Sequence, residues 1–316
     1  MGISSMKTGS MKRSLLINNS AWPGLRGVFS GGNTGSNSNV IDYVFITTTG
    51  NATDFGDLTA ATDVPAGCAS SVRGIVAGGV APSTTNKIEY ITIATTGNGV
   101  SFGNLTQSRH GLAGCSNDTR GVFQGGSQSG SPQRYMDYIT IASTGSATNF
   151  GNGSEDRNYY GSCASTTRGL FAGGLKPGDV LSNTIDYITI ASTGNASDFG
   201  DLTVARYGVG GCASATRGVF FGGSNISTSQ NVIDYITIAS TGNATDFGDL
   251  TVARSNSGAA CSSTTRGLYG GGSTSGGNNN TIDYITIDTT GNATDFGDLS
   301  VTRAGNTAFS NSHGGL

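Results

Sequence analysis

The strongest constraint on the fold of this chain is an internal repeat. The dipeptide Arg-Gly recurs six times, at steps of 47, 47, 48, 49 and 49 residues, and an apolar run follows each copy. The repeated arginines are Arg26, Arg73, Arg120, Arg168, Arg217 and Arg266. A fixed period of about 20 to 50 residues is typical of propellers, solenoids and other arrays of similar units. We therefore expect one repeat domain rather than two unrelated domains.

Each repeat has four short segments of strand character, separated by turn residues. In the fifth copy these are the segment around Cys212, the Arg-Gly segment, residues 233–238 and residues 244–250. Branched and aromatic residues favour strands, whereas Gly-Gly and Thr-Gly-Asn mark turns. No segment shows the apolar period of about 3.6 residues that indicates a helix. Four strands in a unit of this length match one propeller blade, so the sequence predicts an all-β fold.

The two ends of the repeat region complement each other. The first unit lacks a Cys segment before Arg26, and a matching segment appears at residues 304–312, where Phe309 occupies the cysteine position. We expect this segment to supply the innermost strand of the first blade, because a closed ring leaves no exposed sheet edge. The sequence thus predicts a six-bladed propeller with four-stranded blades over residues 25–316, preceded by an N-terminal arm, residues 1–24.

Charge and hydropathy argue against several classes of partner. Charged residues make up 12% of the chain, the net charge is -3 and no basic tract occurs, so no nucleic-acid partner is expected. No apolar run reaches the roughly 18 residues of a membrane helix, so no membrane insertion is expected. The apolar run after Arg13 is too short for a signal peptide, which favours assembly in the cytoplasm.

Five cysteines occupy one repeated position. Each lies five residues before a repeat arginine, and the set is Cys68, Cys115, Cys163, Cys212 and Cys261. This spacing places every cysteine in a different unit, which indicates a small buried thiol rather than a disulfide framework. A ring of thiolates around a metal is the alternative, although structural metal sites need several close ligands.

Acidic residues recur in the middle of the third strand. They are Asp42, Glu89, Asp137, Asp186, Asp234 and Asp283. A carboxylate between apolar neighbours needs a partner if it is buried, and the Arg-Gly arginines equal these acids in number. We expect one structural Arg–acid pair per blade or blade interface, made by Arg120, Arg168, Arg217 and Arg266 with Asp137, Asp186, Asp234 and Asp283. A charged ring that lines the central channel is the alternative. A second arginine set precedes the Cys segments: Arg109, Arg157, Arg206, Arg254 and Arg303.

The order of these segments resembles a kelch repeat, the blade of kelch-type β-propellers. Gly222 and Gly223 match the double glycine of that family, and Tyr235 matches its tyrosine. Phe247 stands where tryptophan is usual, and Arg254 matches the basic residue that opens the next unit. The wording Asp-Tyr-Ile-Thr-Ile-Ala-Ser-Thr-Gly-Asn-Ala-Thr-Asp-Phe-Gly-Asp-Leu is also similar to repeats in virion and tail-fibre-like proteins of marine phages, cyanophages especially. The resemblance covers about residues 25–310 and implies a propeller in a phage particle.

The sequence predicts no catalytic residue, no metal site and no cofactor. It has two histidines, His110 and His313, which lie far apart in sequence. Copper radical oxidases with a kelch fold use two histidine ligands and a Tyr–Cys crosslink, and this chain does not reproduce that set. The Asp-Phe-Gly-Asp runs, such as residues 246–249, resemble calcium loops only loosely, because the alternating ligand order is missing.

Positions where the copies differ are the best candidates for binding. One variable site is the loop between the second and third strands, and the other follows the second arginine set. The candidate binding residues are Lys87, Arg134, Tyr135 and Lys176 in the first site and Tyr159, Tyr160 and Tyr207 in the second. Repeat geometry predicts that the loops emerge on one face, where exposed tyrosine and asparagine suit the binding of sugars. A tolerant surface without function is the alternative.

These observations favour a non-enzymatic phage virion protein, structural or receptor-binding in the manner of a tail fibre, that presents variable polar loops on one propeller face. Its expected partners are other virion proteins, reached through residues 1–24, and a glycan or protein of the host surface. Its expected location is the phage particle, assembled in the host cytoplasm. The alternatives are a secreted or virion-borne carbohydrate-active or oxidising enzyme on a kelch propeller, and a cellular kelch-type scaffold for protein interactions.

Overall fold

The computed structural model describes residues 25–255 and 258–312 of the 316-residue chain. Within these residues six antiparallel sheets of four or five strands surround a central channel as a six-bladed β-propeller, as the repeat predicts. The same residues contain no helix, and hence none with the length and apolar character of a membrane span. The predicted arm, residues 1–24, and His313 lie outside the described residues.

Each blade uses four strands in the same order from the channel outwards, and neighbouring strands are antiparallel. In blade 1 the first to fourth strands are Thr307–Ser310, Arg26–Ser30, Val40–Phe45 and Thr53–Asp57. In blade 2 they are Ala66–Ala69, Arg73–Ala77, Lys87–Thr92 and Val100–Asn104. In blade 3 they are Ala113–Ser116, Arg120–Gln124, Ser131–Thr140 and Thr148–Arg157. In blade 4 they are Gly161–Ala164, Arg168–Ala172, Thr184–Thr189 and Ser197–Asp201. In blade 5 they are Gly210–Ala213, Arg217–Phe221, Gln230–Thr237 and Thr245–Arg254. In blade 6 they are Ala259–Ser262, Arg266–Gly270, Thr281–Thr286 and Thr294–Asp298.

Three of the loops between the second and third strands contain additional short strands. In blade 3, Ser127–Gln128 pairs with the start of the third strand. In blades 4 and 6 the loops form small hairpins, Leu175–Lys176 with Val180–Leu181 and Ser273–Thr274 with Gly277–Asn278. These loops therefore differ in structure as well as in sequence from one blade to the next.

The C-terminal segment closes the ring as predicted. Strand Thr307–Ser310 pairs with strand Arg26–Ser30, so blade 1 combines strands from both ends of the repeat region. The first strands contact one another in turn around the channel, and Thr307–Ser310 lies between those of blades 6 and 2. This arrangement removes the free sheet edge that an open array would expose.

The hydrophobic core is divided into six clusters, one between each pair of neighbouring blades. Between blades 2 and 3, for example, Ile75 and Phe102 of one blade pack with Phe123 and Ile139 of the next. Complete burial of one such side chain stabilises the fold by roughly 1.5–3 kcal/mol. Each blade therefore depends on both of its neighbours for its core.

The glycine of each Arg-Gly dipeptide marks a close contact between neighbouring blades. A side chain at Gly121 would come within 2.7 Å of the sulfur of Cys68 in the preceding blade, so the position has no room for a Cβ atom. The same contact recurs with the other four thiols, and at Gly74 the ring of Phe309 takes the place of the thiol. All five thiols are free and buried, and burial raises the pKa of Cys68 to about 12. This packing agrees with the structural interpretation of the cysteines.

The buried acids pair with the second arginine set, which corrects the expected partners. Asp234 accepts a hydrogen bond from Arg206 at 2.7 Å, and the amide and hydroxyl of Thr203 donate to the same carboxylate. Arg206 and Thr203 lie on the segment that crosses from blade 4 into blade 5. The same pair recurs as Arg303 with Asp42, Arg109 with Asp137, Arg157 with Asp186 and Arg254 with Asp283. The paired carboxylates are buried within the blades, so they do not form the alternative charged ring along the channel.

The Arg-Gly arginines contact tyrosines instead of acids. The guanidinium of Arg217 lies 4.3 Å from the ring centre of Tyr235 and donates to the carbonyl of Ile287 in the next blade at 2.9 Å. Such a cation–π contact is worth about 0.5–2 kcal/mol. Arg26, Arg73, Arg120, Arg168 and Arg266 make the same contact with Tyr43, Tyr90, Tyr138, Tyr187 and Tyr284. These arginines are structural, as predicted, but each contacts a tyrosine ring of its own blade and reaches the next blade through a backbone carbonyl.

The double glycine that ends each second strand is a backbone requirement. Gly222 and Gly223 have φ angles of 54° and 101°, in the left-handed region that favours glycine. A side chain on Gly223 would come within 2.6 Å of the carbonyl oxygen of Tyr207. This close approach brings the loop after the second strand next to the segment that enters the same blade.

Removal of residues 304–316 tests the closure of the ring. The shortened chain loses the first strand of blade 1 and the buried ring of Phe309, so we expect its Tm to fall by at least about 10 °C. Differential scanning calorimetry measures the difference, with a chain that ends at residue 312 as the matched control. Equal Tm values for the two chains would show that the ring closes in another way.

Substitution of one buried acid tests the ion pairs. Asp234→Ala leaves Arg206 buried without a counter-charge, so we expect the free energy of unfolding to fall by about 3–5 kcal/mol. Urea titration measures this loss, and Asp246→Ala, at an exposed carboxylate opposite Asp234 in the sheet, is the matched control. A loss that is no larger than that of the control would contradict a structural role for the pair.

Candidate binding site at the channel mouth

The two variable segments of each blade lie side by side at one end of the channel. In every blade a backbone bridge joins the residue after the second arginine position to the residue after the double glycine. The bridged pairs are Asn33 with Ala304, Asp63 with Val80, His110 with Ser127, Asn158 with Leu175, Tyr207 with Ser224, and Ser255 with Ser273. The fold thus gathers the positions where the copies differ on one face, around the mouth of the channel.

A cavity of about 530 Å³ opens at this mouth. Five of the six blades contribute residues to its wall, among them Asn33, Asp63, Tyr159, Leu175, Tyr207 and Asn278. The wall is therefore a mixture of aromatic rings, amides and one carboxyl group. A small polar ligand in this cavity would contact several blades at once.

Three rings form a continuous aromatic edge along one side of the mouth. The ring centres of His110 and Tyr159 are 6.1 Å apart, and those of Tyr159 and Tyr207 are 6.4 Å apart in an edge-to-face arrangement. All three side chains are half-buried, so part of each ring remains accessible. Partly exposed rings with a polar tip suit ligands that have both apolar faces and hydroxyl groups.

Asp63 supplies the carboxyl group of the mouth. Its Oδ2 atom accepts a hydrogen bond from the amide of Asn33 at 3.2 Å, whereas its buried Oδ1 atom has no partner among the described residues. Burial raises the pKa of Asp63, whereas the hydrogen bond from Asn33 and the nearby backbone amide of Val64 oppose this shift. Burial also lowers the pKa of His110, although the negative charge of Asp63 opposes this shift, so the imidazole is neutral at pH 7. Burial raises the pKa of Tyr159, which keeps its hydroxyl protonated.

Two residues at the mouth have strained backbones. Val64 and Tyr159 have φ angles of 47° and 53°, at the repeat position where other blades carry Gly111, Gly208 and Gly305 with φ between 62° and 67°. A non-glycine residue in this region costs about 1–3 kcal/mol, and a β-branched residue is rare there. Side chains therefore replace glycine at this rim in spite of an energetic cost.

The channel narrows below the mouth. Its upper part is a space of about 100 Å³ lined by the starts of the first strands, including Gly67, Gly114 and Gly161. Below it a second space of about 60 Å³ lies among the cysteine-bearing parts of these strands. Neither space contains a charged side chain. Among the cavities along the described part of the channel, only the mouth is both large and polar.

The structure divides the predicted binding residues between several places. Tyr159 and Tyr207 line the mouth, as their variable position suggested. Tyr160 does not belong to a binding surface: it is 5% exposed and packs against Phe171 in the core between blades 3 and 4, which corrects the prediction. Its neighbour Tyr159, which has the left-handed backbone, lines the mouth instead.

The loop residues lie further from the channel. Arg134 and Tyr135 are exposed on the third strand of blade 3, beside a shallow groove of about 560 Å³, and Arg134 faces Asp156 at 3.8 Å. Lys176 lies in the hairpin of blade 4 and pairs with Glu155 at 3.5 Å. Lys87 is exposed at the start of the third strand of blade 2. These residues therefore do not share a site with Tyr159 and Tyr207.

The prediction from sequence missed Asp63 and Val64, and it included Asn33 only as the first residue of a variable loop. Asp63 and Val64 replace the residue pair that reads His110-Gly111 in the next repeat, so a closer comparison of the copies could have found them. Asn33 lies at the start of a loop and has no distinctive sequence signal. In the described part of the chain no group of three or more histidine, cysteine, aspartate or glutamate side chains is placed to hold a metal ion.

Replacement of Val64 tests how much its strained backbone lowers the stability of the fold. Val64→Gly restores the residue found at this position in three other blades, so we expect Tm to rise by about 2–4 °C. The reverse change, Gly208→Val, is the matched control and should lower Tm, because it introduces the same strain in blade 5. Thermal unfolding followed by circular dichroism measures both. A lower Tm for Val64→Gly would show that the contacts of this side chain outweigh its strain.

Comparison with known proteins does not place the chain in a family. The sequence matches no protein-family model, and no curated protein is significantly similar to it. The candidate site is therefore defined by its geometry: a polar mouth with an aromatic edge, built on a regular six-bladed ring.

Proposed function

We propose that this protein is a non-enzymatic binding component of a phage particle, and that the mouth of its channel binds a polar ligand on the host surface, in the first place a glycan. Its partners in the particle would be other virion proteins, reached through residues 1–24. The similarity of its repeat wording to virion and tail-fibre-like proteins of marine phages supports the phage assignment. The kelch-like order of its segments supports a role in binding.

The observation that carries the proposal is where the repeats differ. The ion pairs, thiols and double glycines recur around the ring, whereas the rim of the mouth carries unlike residues in each blade. Selection for the fold alone does not require a strained Tyr159 or Val64 at this rim, since glycine is compatible with the same backbone in other blades. Strained residues cluster at functional sites, where the surrounding structure holds them in place.

The chemistry of the mouth fits a sugar better than a purely apolar ligand. Tyr159 and Tyr207 offer ring edges and hydroxyl groups, and the amide of Asn33 and the carboxylate of Asp63 belong to the same wall. The hydroxyl groups of a sugar would form hydrogen bonds with these polar groups while its apolar face contacts the rings. The narrow space below the mouth admits only small groups, so a chain of sugars would lie across the mouth.

Weak binding at one mouth would be sufficient in a particle. Several copies on a common support engage a host surface together, and the effective concentration raises the overall affinity by about 10²–10⁴. A rigid propeller suits this role because the mouth keeps its shape in every copy. The proposal therefore needs only a modest affinity for each glycan.

Glycan binding by the purified protein tests the proposed function. We expect binding to surface polysaccharides of the host on an array, with affinity lowered at least about tenfold by Tyr207→Ala, because the ring contact is lost. Tyr135→Ala is the matched control, since it removes an exposed tyrosine outside the mouth. Equal Tm values for the two variants would exclude a loss by misfolding.

Three outcomes would contradict the proposal. Loss of binding in the Tyr135→Ala control alone would place the site in the groove beside Arg134. Turnover of a sugar or alcohol substrate would show an enzyme. Absence of the chain from purified particles, tested by immunogold labelling, would remove the phage assignment and favour a cellular scaffold.

A further inference from the structure

Blade 2 lacks the ion pair that the other five blades share. At the arginine position of the crossing segment it has Thr62, and its acid is Glu89 instead of aspartate. The backbone confirms the equivalence, because the amide of Thr62 donates to the carbonyl of Ser38 as the amide of Arg109 donates to the carbonyl of Thr85. The side chain that neutralises the acid in the other blades is therefore missing here.

Glu89 is otherwise held like the paired acids. Only 7% of the residue is exposed, and the amide and hydroxyl of Thr59 donate to its two carboxylate oxygens. Thr106 holds Asp137 in the same way in blade 3, where Arg109 adds the positive charge at 2.7 Å. In the described part of the chain no cationic side chain forms an ion pair with Glu89. A buried carboxylate without a counter-charge is strongly unfavourable.

The oxygen atoms that surround the missing guanidinium are also present in blade 2. In blade 3, Arg109 donates to the carbonyls of Gly125 and Tyr135 at 2.7 and 2.8 Å. The equivalent carbonyls of blade 2 belong to Gly78 and Lys87, and no described side chain donates to either of them. Blade 2 thus keeps the carboxylate and the carbonyls of a cation site but lacks the cation.

A cavity lies where the arginine side chain lies in the other blades. It has a volume of about 20 Å³, and Thr62, Gly78, Lys87 and Glu89 contribute to its wall. Thr62 is too short to fill the path that an arginine side chain takes in the other blades. A space of this size holds about one water-sized particle, so it is accessible to a small ion and too small for a whole guanidinium group.

We propose that this cavity is a binding site for a small monovalent cation, of the size of potassium or ammonium, which neutralises Glu89. Carboxylate and carbonyl oxygens are the ligands that hard cations prefer. A single carboxylate favours a charge of one, because calcium sites combine several carboxylates among six to eight oxygen ligands. The ion takes the electrostatic role that the guanidinium group has in the other five blades, and it links the crossing segment to blade 2.

Lys87 is the one side chain of the cavity wall that could compete with a free ion. Its side chain is exposed, and its ammonium group forms no ion pair with Glu89 among the described contacts. A flexible lysine could nevertheless reach the carboxylate in solution. The experiment therefore includes Lys87→Gln, in which only a free ion can supply the charge.

Thermal unfolding in different chloride salts tests the cation site. We expect potassium or ammonium chloride to raise Tm by about 2–4 °C above tetramethylammonium chloride at the same ionic strength, with a saturable dependence on concentration. Tetramethylammonium has the same charge but is too large for the cavity. The rise should persist in Lys87→Gln and disappear in Glu89→Gln, which removes the charge of the acid.

Restoration of the ion pair provides the second arm of the test. The double variant Thr62→Arg with Glu89→Asp copies the residues of the other blades, so we expect a Tm that no longer depends on the cation. A potassium effect of the same size in this variant and in Glu89→Gln would overturn the proposal, because it would come from general salt effects. Absence of the potassium effect in Lys87→Gln would also overturn the proposal, because in this variant only a free ion can neutralise Glu89.

Discussion

The buried ion pair between an arginine on a crossing segment and an aspartate in the next blade is the interaction on which the ring depends. Each pair holds the chain at the point where it passes from the outer strand of one blade to the inner strand of the next. Arg206 shows this arrangement, since it reaches Asp234 from the segment that enters blade 5. The guanidinium of Arg206 also donates to the backbone carbonyl of Phe220, which fixes the crossing segment in position. The apolar clusters between blades can then pack in one register.

Much of this architecture could be predicted from sequence, because a repeat reveals structure through its period. The number of blades, the four strands and the closure by residues 304–312 all follow from counting copies. The partners of the buried acids could not be predicted in the same way. Two arginine sets have the same period, and only the path of the crossing segment places Arg206, rather than Arg217, beside Asp234. Equal spacing cannot distinguish two residues that repeat together.

The site was only partly visible in the sequence for a related reason. Variation between copies pointed to Tyr159 and Tyr207 but also to Tyr160, and the difference between a rim residue and a core residue depends on which side of the chain each faces. Asp63 lies at the mouth beside Asn33 of the adjacent blade 1, which precedes it by 30 residues in the chain. The contact joins two neighbouring blades, so the local sequence around either residue does not reveal it.

The boundaries of the sequence repeat do not coincide with those of a blade, and this offset affects how the number of blades can change in evolution. One unit supplies three strands to one blade and the first strand to the next. Gain or loss of a whole unit would leave the pairing of Arg26–Ser30 with Thr307–Ser310 intact. The identical words Ile-Asp-Tyr-Ile-Thr-Ile at residues 185–190, 233–238 and 282–287 offer places for unequal recombination. A single genetic event could thus yield a wider or narrower ring that still closes, with a new opening at its centre.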